Sequence, residues 1–251
     1  MSNYINGLIV KHYLNNPAQT VFEQYRKCFL TELFARPLLT KREPSYFKLI
    51  GTNWLVPMVR IFTMTLGVGG DVAAEEKMKT KFPSTCQFHG ADPGETNAID
   101  YAPIGKFHKV TVGSYSQTWD GVVVARQGLR NTEMVKTKYV PFVEFLREYV
   151  KVKKIVDVLL IDIEFAEYDF LPIFFKNGKL DASGFIVCQF NVEIHSPSQQ
   201  PAVYFDILLH FLIEKKYLPM IISSYLGHIR AYFINYSDEI CRKRYLSHMI
   251  I

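Results

Sequence analysis

The chain has 251 residues, 49% of them hydrophobic, and carries 29 basic against 24 acidic side chains for a net charge of +5. That is enough apolar material for one large core, and a charge spread along the whole chain leaves no concentrated patch for nucleic acid or an acidic membrane. No apolar run reaches the roughly 18 residues of a membrane span, and the start MSNYINGLIVKHYLNN lacks the layout of a signal peptide, so a cytoplasmic protein without a membrane span is expected.

In chain order, residues 1–58 read as an N-terminal helical and irregular extension. VFEQYRKCFLTELF places Val21, Tyr25, Cys28, Phe29 and Leu33 at helical spacing, and a proline-punctuated stretch follows. From residue 59 to 251 strands and helices alternate. VRIFTMTLGV reads as a strand and DVAAEEKMKTKF as a helix with Asp71 at its N-cap. CQFHGA is a second strand, ETNAIDYAPIG a short helix or loop, and KFHKVTVG a third strand. TWDGVVVARQG and LRNTEMVKTKYV form a hairpin, and Pro141 opens the helix PFVEFLREYVKV. The strand IVDVLLI, the helix EFAEYDFLPIFF and the strand GFIVCQFNVEIH come next. The helix VYFDILLHFLIEKK and a final pair of strands, YLPMIIS and HIRAYFINY, complete the domain. Such alternation implies a mostly parallel sheet with helices on both faces and an antiparallel edge. The basic stretch from KKYL to CRKRYL reads as a solvated end. Cys28, Cys86, Cys188 and Cys241 lie far apart without CxxC spacing and read as buried free thiols.

Two turns carry chemistry. TLGVGGDV is a glycine-rich connection between a strand and a helix, where backbone can approach a cofactor closely. A dinucleotide GxGxxG would need glycine where Val72 stands. Further on, FHGADP places Asp92 at the end of the second strand, where a carboxylate can accept hydrogen bonds from ribose hydroxyls; before Pro93 it could equally cap a turn. LLIDIEFAEYD puts Asp162 and Glu164 at the tip of another strand, with Glu167 and Asp169 on what reads as a solvated helix face. In CQFNVEIH the alternation puts Gln189, Asn191, Glu193 and His195 on one face.

These stretches, TLGVGGDVAAEEKM, FHGADPGETN, LLIDIEFAEYDFLP and CQFNVEIH, resemble the FkbM-type class I S-adenosylmethionine-dependent methyltransferases, most closely a divergent group of them found in nematodes. The likeness runs over about residues 55–236 and implies a Rossmann-like α/β fold with a seven-stranded sheet of order 3-2-1-4-5-7-6. It implies S-adenosylmethionine as cofactor, with Gly67, Gly69, Asp71, Asp92 and Asp162 as its contacts. Asp162, Glu164 and Glu167 match a D-x-E-G-x-E signature whose glycine is here Phe165, which removes both backbone freedom and room. Thr65 stands where an acid usually precedes the first loop glycine.

The implied activity is methyl transfer to an oxygen of a small-molecule or glycan-like acceptor, with Asp162, Glu164, Glu193 and His195 as the catalytic candidates. Glu193 and His195 could serve as a base toward the acceptor hydroxyl, or with Asp162 hold a divalent cation, or be ordinary rim residues; no metal ligand is assigned. Two further readings stand beside this one. The first is a methyltransferase-fold binding protein without turnover, for which Phe165 and Thr65 speak. The second is a nicotinamide-dependent oxidoreductase, against which the missing third glycine speaks.

Overall fold

A computed structural model describes residues 61–95, 97–115, 117–127 and 131–246, and the expected N-terminal helix lies outside them. β1 (Phe62–Leu66), β2 (Gln87–Ala91) and β3 (Lys106–His108) run parallel, with α1 (Ala73–Lys81) and α2 (Asn97–Tyr101) between them. β4 (Thr111–Gly113) joins the hairpin of β5 (Trp119–Gln127) and β6 (Asn131–Pro141) in a separate three-stranded sheet. Pro141 caps α3 (Phe142–Glu144), which widens into a π-helical turn over Phe145–Val150. After β7 (Ile155–Val156) and β8 (Val158–Ile161) come α4 (Glu167–Phe170), a 3₁₀ turn begun with Pro172, and α5 (Lys179–Ser183). β9 (Ile186–Val187), β10 (Gln189–Ile194), α6 (Pro201–Glu214), β11 (Tyr217–Tyr225), β12 (His228–Asn235) and α7 (Glu239–Tyr245) follow.

The large sheet has the order β11-β12-β10-β8-β1-β2-β3, with β10, β12 and β11 antiparallel in sequence. Numbered by their place in this sheet, the strands run 3-2-1-4-5-7-6, as the resemblance implies. Three strands expected to be continuous are each interrupted by a break where the chain changes partners. KFHKVTVG leaves the large sheet after His108 and enters the small one at Thr111. IVDVLLI breaks at Asp157, whose fully buried carboxylate accepts hydrogen bonds from the Phe62 backbone N–H, the Arg244 guanidinium and the Tyr245 hydroxyl. GFIVCQFNVEIH breaks at Cys188, and β7 and β9 pair only with each other.

Cys188 is disulfide-bonded to Cys241 of α7, which overturns the free-thiol expectation for these two; Cys86 is free. The basic C-terminal stretch is likewise not a solvated end. Lys216 is buried, donating to the Phe174 carbonyl and the Asp181 carboxylate, and Arg244 reaches under the sheet to Asp157. Asp238 caps α7 by accepting from the Cys241 N–H, so the last helix is docked by a cap, an ion pair and a covalent bond.

α6 begins with Pro201 in its first turn and buries Tyr204, Phe205, Ile207, Leu208 and Phe211 on one face, the i, i+3, i+4, i+7 pattern of an amphipathic helix. Phe211 meets a ring cluster in which Phe190 stacks on Phe174 at 4.7 Å and on Phe233 at 4.8 Å, fixing α6 against β10 and β12. Among the described residues no helix is long and apolar enough to cross a membrane.

At the other side of the sheet His89 and His108 stack, with Nδ1 and Nε2 3.1 Å apart. Burial, with Lys106 nearby and for His108 also His89, pushes both imidazoles down to about 4. A neutral folded pair and an unfolded pair that takes up protons below about 6.5 make the contribution complete above that pH and lost as pH falls toward 4. The thermal midpoint of wild type is therefore expected to fall faster between pH 6.5 and 4.5 than that of His89→Gln. Parallel pH profiles would show that the pair does not titrate on unfolding.

Candidate active site

Three strand ends meet at the glycine turn. Gly67, Gly69 and Gly70 all have positive φ, +78°, +61° and +80°. The Gly67 N–H donates to the Ala91 carbonyl at the end of β2, and the Asp162 N–H at the end of β8 donates to the Leu66 carbonyl, both at 2.9 Å. A Cβ on Gly67 would stand 1.6 Å from the Asp162 carbonyl oxygen, whereas one on Gly69 would meet nothing within 4 Å. Gly67 is thus needed for the approach of two strands, and Gly69 for its own backbone.

Asp92 ties this turn to the next. Its Oδ2 accepts from the Gly69 N–H at 3.2 Å and its Oδ1 from the Gly94 N–H at 2.6 Å and Asn97 Nδ2 at 2.8 Å. Burial raises its pKa, while these hydrogen bonds pull it back. Asp71 is exposed and accepts from the Ala73 N–H at 3.2 Å, a local turn one residue outside the cap position, which Val72 occupies; it is not the N-cap. A residue that sequence reasoning missed is Glu75, buried in the first turn of α1, whose Oε1 accepts from the Thr65 hydroxyl at 2.7 Å. An acid from the helix therefore reaches the place where Thr65 had left one missing, and the i+10 spacing gave no sign of it.

The second group lies at the tips of β8 and β10. Their parallel register pairs Ile161 with Val192, so the residues just past each end run side by side. His195 Nδ1 stands 3.0 Å from Glu167 Oε1, and its Nε2 stands 3.5 Å from Asp162 Oδ1 and 3.4 Å from Glu164 Oε2. Glu167 has no exposed surface and also accepts from the Ile163 N–H at 2.9 Å, which overturns its reading as a solvated helix residue; Asp169 is on the solvated face. Burial, then the charge of Glu193, pushes the Asp162 carboxyl up to about 6, with Glu164 and Glu167 adding to this and His195 opposing it. Burial alone would lower the pKa of His195, but the hydrogen bond and charge of Glu167, with Asp162 and Glu164, hold it above the ordinary value. Glu193 is cross-strand partner to Arg230 and forms an ion pair with it. That pairing draws Glu193 away from the role of free base.

Phe165 does not pack into the core. It is 47% exposed, and its ring lies 5.3 Å from that of His195, over the tips of the two strands. Its φ is +74° and that of Glu164 +50°, so two consecutive side chains occupy the left-handed region. Glycine would relieve about 1–2 kcal/mol there, against the contacts of a half-exposed ring. Phe165→Gly is expected to unfold at the same temperature as wild type or slightly above it. A drop of several degrees would mean that the ring's contact with His195 outweighs the strain.

A seven-stranded sheet of this order, with a glycine turn at the tip of its first strand and a buried acid at the tip of its second, defines the class I methyltransferase fold. The model of the methyltransferase FkbM domain matches residues 20–240, and the chain belongs to that family. Solved structures with a related arrangement include the human methyltransferase 10 domain-containing protein, 8% identical over 94% of this chain and 97% of that one, with a TM-score of 0.42. The fibrillarin pre-rRNA processing protein of Methanococcus jannaschii is 7% identical over 71% and 68%, with a TM-score of 0.41. Ribosomal protein L11 methylase from Lactobacillus delbrueckii is 11% identical over 72% of each chain, with a TM-score of 0.39. No curated protein matches the sequence.

Proposed function

We propose that this methyltransferase uses S-adenosylmethionine to methylate a hydroxyl oxygen of a small-molecule or glycan-like acceptor. The observation that carries this reading is the position of the Asp162, Glu164 and His195 cluster directly beside the glycine turn, joined to it through the Gly67–Asp162 contact. The residues present fit the cofactor. The left-handed Gly69 leaves open space where a side chain would project, and the Asp92 carboxylate is tied to that same turn through the Gly69 N–H, at the end of β2 where a ribose would lie. When bound, the cofactor supplies a methyl group on a sulfonium centre. Gly67 and Gly69 would line its amino-acid side, and Asp92 would hold its ribose.

What remains for the chain is alignment and a proton. The Asp162, Glu164 and His195 cluster meets the acceptor hydroxyl and takes its proton, and Glu167 holds the imidazole ring in place through Nδ1. Phe165 forms an apolar wall beside that ring. Isothermal titration with S-adenosylmethionine and, separately, with NAD tests the reading. One equivalent of the first and no heat from the second is expected, followed by release of S-adenosylhomocysteine in the presence of a hydroxylated acceptor. Binding of NAD alone, or of neither, would overturn it.

A further inference from the structure

We infer that Asp162, Glu167 and His195 form a binding site for a divalent first-row cation such as Mn²⁺. The three side chains each bring a ligand atom to within 4.8 Å of the other two. One imidazole with two carboxylates is a donor set suited to manganese, iron or zinc, and the neutral ring nitrogen makes it a poor match for magnesium alone.

Two independent observations point to a ligand. Glu167 has no exposed surface, yet its Oε2 has no hydrogen-bond partner among the described residues, and the buried Oδ1 of Asp162 has no hydrogen bond and only the His195 Nε2 at 3.5 Å. Buried carboxylate oxygens without donors are costly unless something positive meets them. The second observation is the crowding of acid. Asp162 and Glu167 meet the same imidazole, whereas the neighbouring Glu193 is matched by Arg230. A cation gathers the first group without displacing the ion pair of the second.

The competing set of Glu193, His195 and His228 is also close enough to hold an ion. Two of its members are already engaged, Glu193 with Arg230 and His228 Nδ1 with the Ser196 N–H at 3.3 Å. The Asp162 set is therefore the one with donors to spare. Glu164 Oε2, 3.4 Å from His195 Nε2, stands just outside it on the exposed side.

What the ion does rests on the proposed methyl transfer. An acceptor oxygen bound to the cation loses its proton more readily, and Glu164, outside the donor set, receives it. The acceptor class narrows accordingly to hydroxyls flanked by a second oxygen that can share the cation, such as a vicinal diol of a sugar. The proton passes to a carboxylate already present, and the oxygen's lone pair is left free for the methyl group.

The test uses the full-length protein, stripped of metal with a chelator and exchanged into chelator-free buffer. Mn²⁺ is titrated in without cofactor, with free Mn²⁺ read by electron paramagnetic resonance. One equivalent is expected to bind, weakened at least tenfold in Asp162→Asn and in Glu167→Gln, with thermal midpoints confirming that both variants fold. On wild type, bound Mn²⁺ is expected to broaden the ring resonances of His195, a readout that needs no variant. Absence of saturable binding, binding unchanged in both variants, or an unbroadened His195 would each overturn the site. The cofactor titration is separate. Mn²⁺ binding without S-adenosylmethionine binding would keep the cation site and discard the methyl-transfer role, while the reverse would discard the cation site alone.

Discussion

Gly67→Ala is expected to cost about 3–5 kcal/mol of stability and to abolish cofactor binding, since among the described glycines an added methyl would make its shortest contact here. The new Cβ would sit 1.6 Å from the Asp162 carbonyl oxygen, a main-chain atom that cannot swing aside as a long side chain could. The same residue donates its own N–H to the Leu66 carbonyl, the hydrogen bond that closes β1 against β8, so the clash must disturb the sheet where the site is built. The positive φ adds its own strain. Gly69→Ala makes the internal control. It shares the left-handed backbone, φ +61°, but meets no protein atom within 4 Å, so about 1 kcal/mol of stability should be lost while cofactor binding fails for want of room. Urea unfolding of both variants, with cofactor titration, separates the two roles. Equal stability losses would refute the assignment of Gly67 to strand approach.

Asp92→Ala should come next in size. Its carboxylate is the buried acceptor for the N–H groups of Gly69 and Gly94 and for the Asn97 amide, so alanine leaves three donors without a partner at the junction of the first two βα turns. At about 1–3 kcal/mol for each unsatisfied group, partly relieved by water, a loss of about 3 kcal/mol in unfolding free energy is expected. A weakening of S-adenosylmethionine by about 1.5–3 kcal/mol should accompany it. Asp92→Asn keeps one carbonyl oxygen and should recover most of the stability but less of the affinity, because the charge on the ribose side is gone. If Asp92→Ala unfolds like wild type and binds the cofactor as well, Asp92 belongs to neither the loop tie nor the ribose contact.

Most strands and helices could be read from period and punctuation, because buried parallel strands and amphipathic helices write themselves plainly into apolar spacing. The strand order came with the resemblance. What could not be read are the breaks around Lys109 and at Asp157 and Cys188, where the residues on both sides look equally strand-like and only their partners differ. The site shows the same division. Gly67, Asp92, Asp162, Glu164 and His195 announce themselves by position at strand ends. Glu167 was misread because a helix carboxylate six residues past the end of a strand is usually solvated; here the chain folds back to place it under the Ile163 N–H and the imidazole. Glu75 was invisible for a related reason, since its partner Thr65 carries no charge to suggest one. The ion pair of Glu193 was not legible either, as alternation along a single strand cannot show that Arg230 stands opposite.

The bond between Cys188 and Cys241 makes the history of a preparation part of its structure. Such links form and persist where thiols are oxidised and are scarce where glutathione keeps them reduced. A chain made in a reducing bacterial host therefore holds α7 to the sheet by the Asp238 cap, the Arg244 ion pair and packing alone. One made along a secretory route holds it covalently. Cys86, the remaining described thiol, offers a wrong partner while the chain is still unfolded, so refolding from inclusion bodies without a redox couple would yield a mixture at this edge before any question of activity is asked.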